Sequence, residues 1–234
     1  MGDAMGPIVS LADVVHRWPG HSGFRLCIDT FELARGQTAL ILGESGSGKS
    51  TLLSMICGTI SARQGEVTLD GCPLSRMSPA ARDRLRGETV GVIFQQFNLL
   101  PFGSVADNIL LPLRFAPTRR TKVGTPRQAV ETICGALGLS DVSLNQRVGA
   151  LSVGQQQRVA VARALIGQPP LIVADEPTSA LDYAHQSAFL DLLFDQVRST
   201  GAALLMVSHD ARIATRFDRV VEMSEITKAS ELRR

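Results

Sequence analysis

Gly43-Glu44-Ser45-Gly46-Ser47-Gly48-Lys49-Ser50 fits the pattern G-x-x-x-x-G-K-[ST] at every specified position. Before it, Thr38–Leu42 is short and apolar, suited to a buried strand. After it, Ser50–Cys57 can begin a helix. Strand, loop and helix in that order are what a phosphate-binding loop requires; a Gly/Ser turn that merely carries a lysine needs neither flank. The glycines Gly43, Gly46 and Gly48 let the backbone curl so that successive N–H groups point inward at a phosphate chain. The helix start adds a positive partial charge. In such a loop Glu44, Ser45, Ser47 and Thr51 join the glycines around the nucleotide. Lys49 bridges the β- and γ-phosphates, and the Ser50 hydroxyl holds Mg²⁺.

The chain has 234 residues, enough for one large domain or two small lobes. Hydrophobic residues make up 44% and charged residues 20%, ordinary for a soluble globular chain. A net charge of +2 implies no strong pull toward nucleic acid or anionic lipid. The densest basic cluster, Arg119-Arg120-Thr121-Lys122, reads as a solvated loop. The four cysteines (Cys27, Cys57, Cys72, Cys134) share no C-x-x-C spacing, and three sit in apolar surroundings. That cysteine pattern predicts a reduced cytosolic protein with no metal site. No signal peptide is expected at the N-terminus, and no apolar run approaches the roughly 18–20 residues that span a membrane. Any membrane role must come through a partner.

Along the chain, residues 8–17 and 24–33 read as strands, the second by alternation from Phe24. Glu66–Leu69 is another, closed by an Asp70-Gly71 turn. Ser78-Pro79 opens a short helix, and Val90–Phe94 is a buried strand. Residues 97–155 then lose the strand pattern. Ser104-x-x-Asp107 is a capping box, and Thr125-Pro126 starts a second helix that Gly138 ends. A helical sub-domain is expected there. Strands follow at Leu171–Ala174, Ala202–Val207 and Asp218–Met223, with helices at 182–199 and 209–216. Alternating strands and helices predict an α/β fold with a parallel central sheet and ligand loops at the strand ends. The N-terminal strands are expected to form an antiparallel side sheet.

Two further stretches carry chemistry. Leu171–Glu176 is an apolar strand ending in two carboxylates. Asp175 at the strand end can hold Mg²⁺ beside Ser50, and Glu176 is placed to take a proton from an attacking water. Alone this would read equally well as an acidic turn after a core strand; the phosphate loop in the same chain decides against that. Leu151-Ser-Val-Gly-Gln-Gln-Gln-Arg158 begins with the capping box Ser152-x-x-Gln155, so a helix starts here and its N-terminus forms a second anion site. A second such site makes sense if it serves a nucleotide held by another chain.

Together these stretches resemble the ATP-binding cassette (ABC) ATPases over nearly the whole chain. In that family the motif reads L-S-G-G-Q and closes on ATP bound to the opposing subunit. The resemblance implies further roles. Gln95 is similar to the glutamine that touches Mg²⁺ and senses the membrane partner, with Gln96 as the alternative. Ser179–Asp182 resembles the loop in which Asp182 bridges two subunits. His209 resembles the switch histidine that contacts the γ-phosphate. Trp18 resembles the aromatic that stacks on adenine, against the alternative of a buried core tryptophan. Ser152, Gly154 and Gln155 would face the partner's nucleotide. One departure stands out: Val153 replaces the first glycine, and its branched side chain could crowd the facing phosphate and slow hydrolysis.

Within the family, Val92–Pro101 followed by Ser104–Pro112 resembles the lipoprotein-releasing and macrolide-exporter group, stand-alone ATPase subunits paired with a separate membrane protein. Apolar residues at 97–102 could receive a partner's coupling helix or pack inside the helical lobe. The resemblance implies one ABC ATPase domain, with a RecA-like core at about 1–96 and 156–225. It adds a helical sub-domain at about 97–155 and a short tail, 226–234, that is polar and expected to be frayed, with no regulatory domain. It implies ATP and Mg²⁺ as cofactors. The partners would be an integral membrane permease subunit and a second ATPase subunit, a homodimer, at the cytoplasmic face of the inner membrane, with no nucleic acid. The first rival is a regulatory ATPase of the same fold that works a cell-division type assembly and moves no solute. A soluble ABC ATPase of DNA repair or translation usually carries coiled-coil insertions or two cassettes, which are absent here. A GTPase would need an N-K-x-D motif, also absent.

Overall fold

Apolar runs bounded by turn residues set the strands, and side-chain caps at Ser104, Ser152 and Asp182 start three of the helices. The computed structural model describes residues 6–18, 25–179 and 181–227. In chain order the elements are β1 (Val9–Arg17), β2 (Arg25–Leu33), β3 (Thr38–Leu42), α1 (Lys49–Ile56), β4 (Gln64–Leu69) and β5 (Cys72–Pro73). Then come α2 (Pro79–Thr89), β6 (Val90–Ile93), α3 (Val105–Leu110), α4 (Pro117–Val123), α5 (Pro126–Ala136) and α6 (Val153–Leu165). The chain closes with β7 (Leu171–Asp175), α7 (Tyr183–Thr200), β8 (Ala203–Ser208), β9 (Arg219–Glu222) and α8 (Met223–Ile226). Phe24, Ala180 and the tail from residue 228 lie outside the described residues.

The chain divides into two units: one runs to Arg86 and resumes at Ala203, and the other is Gly87–Ala202. The first unit holds both expected kinds of sheet. An antiparallel sheet has the order β2-β1-β4-β5. Parallel strands β8, β3 and β9 lie side by side, with Leu42 opposite Ser208 on one flank and Glu222 on the other. Every residue of β3 and β8 is buried, as strands covered on both faces require. Each fully buried Leu, Ile or Val there contributes roughly 1.5–3 kcal/mol. Asp218 pins the start of β3: the Thr38 amide and hydroxyl each donate to its carboxylate over 2.8 Å.

In the second unit β6 and β7 run parallel, with Ile93 opposite Ala174. Helices α3–α5 occupy the stretch expected to be helical. Both capping boxes form, Ser104 with Asp107 and Ser152 with Gln155. The hydrogen bonds from Ser104 hold the Asp107 carboxyl below the usual carboxylate range.

Three expectations need correction. The basic cluster is not a solvated loop: Arg119–Lys122 belongs to α4, and Arg119 is only 2% exposed. Its guanidinium donates to the carbonyls of Gly87, Val90, Ala164 and Ile166, so water is replaced donor by donor. Burial still pulls its pKa down to about 10, with the Glu88 carboxylate opposing the shift. The strand expected to reach Phe94 ends at Ile93, and Phe94 is exposed. The segment after β9 does not begin with a frayed residue at 226: Met223–Ile226 forms α8, and Thr227 bridges to Ile28.

Candidate functional site

In the first unit the phosphate loop leaves β3 beside the loop that leaves β8. The Gly43 amide donates to the Ser208 carbonyl over 3.3 Å, so the loop and His209 start at the same end of neighbouring parallel strands. Gly48 caps α1 with φ 103°, a left-handed value that a side chain would strain. A Cβ on Gly43 would stand 2.8 Å from Ser47 Oγ, so the loop closes tightly on itself. Lys49 is buried, and its ammonium reaches across the loop to the carbonyls of Gly43 (2.7 Å) and Glu44 (2.9 Å). The Ser47 hydroxyl is buried with no hydrogen-bond partner within the protein. Glu44, Ser45, Gly46 and Ser50 are exposed, and Thr51 is partly so. A buried orphan hydroxyl, a lysine over the loop and an exposed serine at the helix start fit a bound phosphate chain.

Trp18 is 40% exposed, which removes the core alternative. Its indole N–H donates to the Thr51 hydroxyl over 3.4 Å, beside the first turn of α1. The ring of buried His16 meets it edge-on, with centroids 5.2 Å apart. His209 is exposed just past β8, and the Ser208 hydroxyl accepts from the Asp210 amide to shape that turn.

In the second unit the paired ends of β6 and β7 carry the other group. Asp175 is the last residue of β7, and Glu176 follows with φ 43°, a left-handed conformation rare for such a residue. Gln95, exposed beyond β6, donates from Nε2 to Ser179 Oγ over 3.1 Å. The loops after the two strands are therefore joined directly. Gln96 makes no such bridge among the described residues. Asp182 caps α7, accepting from the His185 amide over 3.0 Å. Ser152, Val153 and Gly154 are exposed at the start of α6, with Val153 59% exposed. Apart from its chain neighbours and the backbone of its own helix turn, no described atom lies within 4 Å of where a Gly154 Cβ would be, so that face is open.

Sequence reasoning missed the side chains that hold these loops. Gln157 is buried on α6 and donates to the Pro177 carbonyl over 3.0 Å. Gln186 is buried on α7 and donates to the Thr178 hydroxyl over 3.2 Å. Arg163, also on α6, donates to the carbonyls of Phe97 and Asn98, and burial lowers its pKa. The available signal was a charged residue within the apolar run Val159–Leu165. No cluster of three or more His, Cys, Asp or Glu side chains that could hold a metal ion stands among the described residues, and none of the four cysteines is in a disulfide. Of the Mg²⁺ ligands expected from the sequence, Ser50 lies in the first unit, and Gln95 and Asp175 lie at the ends of the paired strands β6 and β7 in the second.

Residues 28–179 match the ABC transporter family, and the chain belongs to that family. It is an ATP-binding cassette. Over 189 residues, 81% of each chain, it is 42% identical to the "uncharacterized ABC transporter ATP-binding protein YbbA" of Escherichia coli K12. The fold is similar to a dimeric, post-hydrolysis structure of the ATP-binding cassette MJ0796 bound to ADP and Pi. The TM-score is 0.76 at 31% identity, covering 92% of this chain and 93% of that one. It is also similar to cbiO1 from Clostridium perfringens, part of the transporter complex cbiONQ. There the TM-score is 0.79 at 25% identity, over 96% and 88% of the two chains. Among the described residues no helix is long and apolar enough to cross a membrane.

Proposed function

We propose that this chain hydrolyses ATP to power an ABC transporter through a separate integral membrane permease subunit at the cytoplasmic face of the inner membrane. The resemblance of residues 92–112 supports export or extraction of the lipoprotein or macrolide type. On this reading the chain is one cassette, with a RecA-like core at about 1–96 and 156–225, a helical sub-domain at about 97–155 and a tail at 226–234. Two copies enclose two ATP molecules, each between the Gly43–Thr51 loop of one chain and Ser152, Gly154 and Gln155 of the other. Trp18 stacks on adenine and Lys49 neutralises the β- and γ-phosphates. Ser50, Gln95 and Asp175 would hold Mg²⁺, which would supply positive charge to offset that of the phosphates. Glu176 accepts the proton of the attacking water, His209 contacts the γ-phosphate, and Asp182 bridges the two chains. Catalysis then rests on positioning and charge neutralisation.

The observation that carries the reading is the start of α6. Its capping box is complete within the chain, yet Ser152, Val153 and Gly154 lie exposed. The test is sizing chromatography of Glu176→Gln with and without ATP–Mg²⁺, beside wild-type hydrolysis. Loss of the base should trap a dimer that forms only with ATP. A monomer under both conditions, together with a wild type that does not hydrolyse ATP, overturns the reading.

A further inference from the structure

Arg163 is 7% exposed, yet it lies in the apolar run Val159–Leu165 of α6. Its Nη1 donates to the Asn98 carbonyl over 2.6 Å and its Nη2 to the Phe97 carbonyl over 2.5 Å. Its guanidinium carbon also lies 6.0 Å from the centre of the Phe94 ring. One side chain therefore lies over Phe94, just before Gln95, and binds Phe97 and Asn98, just after it. The turn it holds is unusual. Phe97 and Asn98 have φ of 57° and 48°, a left-handed pair that a bulky side chain such as phenylalanine disfavours. Backbone of this kind persists only where its surroundings fix it. Two successive carbonyls face one planar fork, a geometry that a guanidinium matches and a lysine ammonium cannot reproduce.

We propose that Arg163 is the positioning residue for Gln95: its fork fixes the Phe97–Asn98 turn and so sets the direction in which Gln95 is presented. Arg163 itself touches neither nucleotide nor metal. The Gln95 amide then needs only its bond to Ser179 to be fully oriented. The inference rests on the reading of Gln95 as a Mg²⁺ contact. It also places that control on α6, the helix whose first turn carries Ser152–Gln155. Arg119 provides the contrast, since it is also buried and carbonyl-bound but grips Gly87, Val90, Ala164 and Ile166 rather than the Gln95 turn.

The experiment titrates the full chain with a fluorescent ATP analogue, in Mg²⁺ and in EDTA, and follows amide exchange over residues 94–98. The variants are Arg163→Lys, Gln95→Ala, their combination, and Arg119→Lys. Arg163→Lys should cut the Mg²⁺-dependent gain in affinity about tenfold, the low end for loss of a residue that orients a metal ligand. Binding in EDTA should stay at the wild-type level, and exchange over 94–98 should accelerate. The double variant should be no worse than Gln95→Ala, and Arg119→Lys should leave the Mg²⁺ gain intact. Wild-type exchange and Mg²⁺ gain in Arg163→Lys, or an effect that adds to that of Gln95→Ala, overturns the proposal. If Gln95→Ala leaves the Mg²⁺ gain unchanged, the reading of Gln95 fails instead, and amide exchange alone decides whether Arg163 holds the turn. Arg163→Gln is the second variant should Arg163→Lys fold poorly by circular dichroism.

Discussion

The buried amide of Gln157 donates to the carbonyl of Pro177 over 3.0 Å, so α6 is tied to the residue that follows Glu176. Pro177 has no N–H to offer, and its carbonyl is the only backbone hydrogen-bonding group through which a neighbour can hold it. Gln157→Met keeps the side-chain length and removes the donor. We expect a loss of about 1–3 kcal/mol, the cost of leaving a buried acceptor unmet, measured by urea unfolding. On the proposed role of Glu176, hydrolysis should also slow while the KM for ATP holds. Wild-type stability and rate together would mean that the bond does not position the loop.

The chain has one tryptophan, so its fluorescence reads Trp18 alone. If Trp18 stacks on adenine, ATP should quench that signal, and Trp18→Ala should weaken ATP binding roughly tenfold, since base–aromatic stacking contributes about 1–3 kcal/mol. Trp18→Phe should retain most of the affinity. Isothermal titration provides the check, and equal affinities for Trp18→Ala and wild type would remove Trp18 from the site.

Val153 stands 59% exposed at the first position of α6. If its branched side chain crowds a facing phosphate, Val153→Gly should raise the hydrolysis rate by up to about tenfold, equivalent to about 1.4 kcal/mol of barrier. The cost in helix stability should stay below about 1 kcal/mol. An unchanged rate ends the idea that this departure slows the enzyme.

Burial pushes the Cys134 thiol up from 9.0 to about 11. Its folded-state pKa thus lies above the unfolded value, so the stability it contributes is fully present below pH 9. That contribution is lost as pH rises through 11, because the unfolded chain releases the proton first. Denaturation midpoints measured from pH 8 to 11 should fall for the wild type and fall less for Cys134→Ala. Parallel curves would show that this thiol does not couple to folding.

The readings that succeeded from sequence were those whose signal is local. Strand, loop and helix around Gly43–Ser50 follow from an apolar run, glycines and a helix start within twenty neighbouring positions, and local chemistry fixes them in any context. Ser104–Asp107 and Ser152–Gln155 each close their own hydrogen bonds, so the spacing alone predicted both caps. What failed was a judgement about environment. Arg119 sits in a basic cluster, and nothing nearby in the chain reveals the four carbonyls that make its burial tolerable.

By itself, the sequence determined the α/β class, the phosphate loop, the helix beginning at Ser152 and membership of a nucleotide-binding family. Each is a property of residue type and short-range spacing. Tertiary structure alone decided which side chains hold those pieces in place. Gln157 meets Pro177, Arg163 meets Phe97 and Asn98, and Gln95 meets Ser179 across gaps of 20, 66, 65 and 84 residues. A buried polar group must find a partner wherever the fold brings one, and that need leaves no periodicity in the chain. The left-handed backbone at Glu176 is of the same kind: nothing in its sequence announces it, and the buried Gln157 on α6 holds the next residue, Pro177, by its carbonyl.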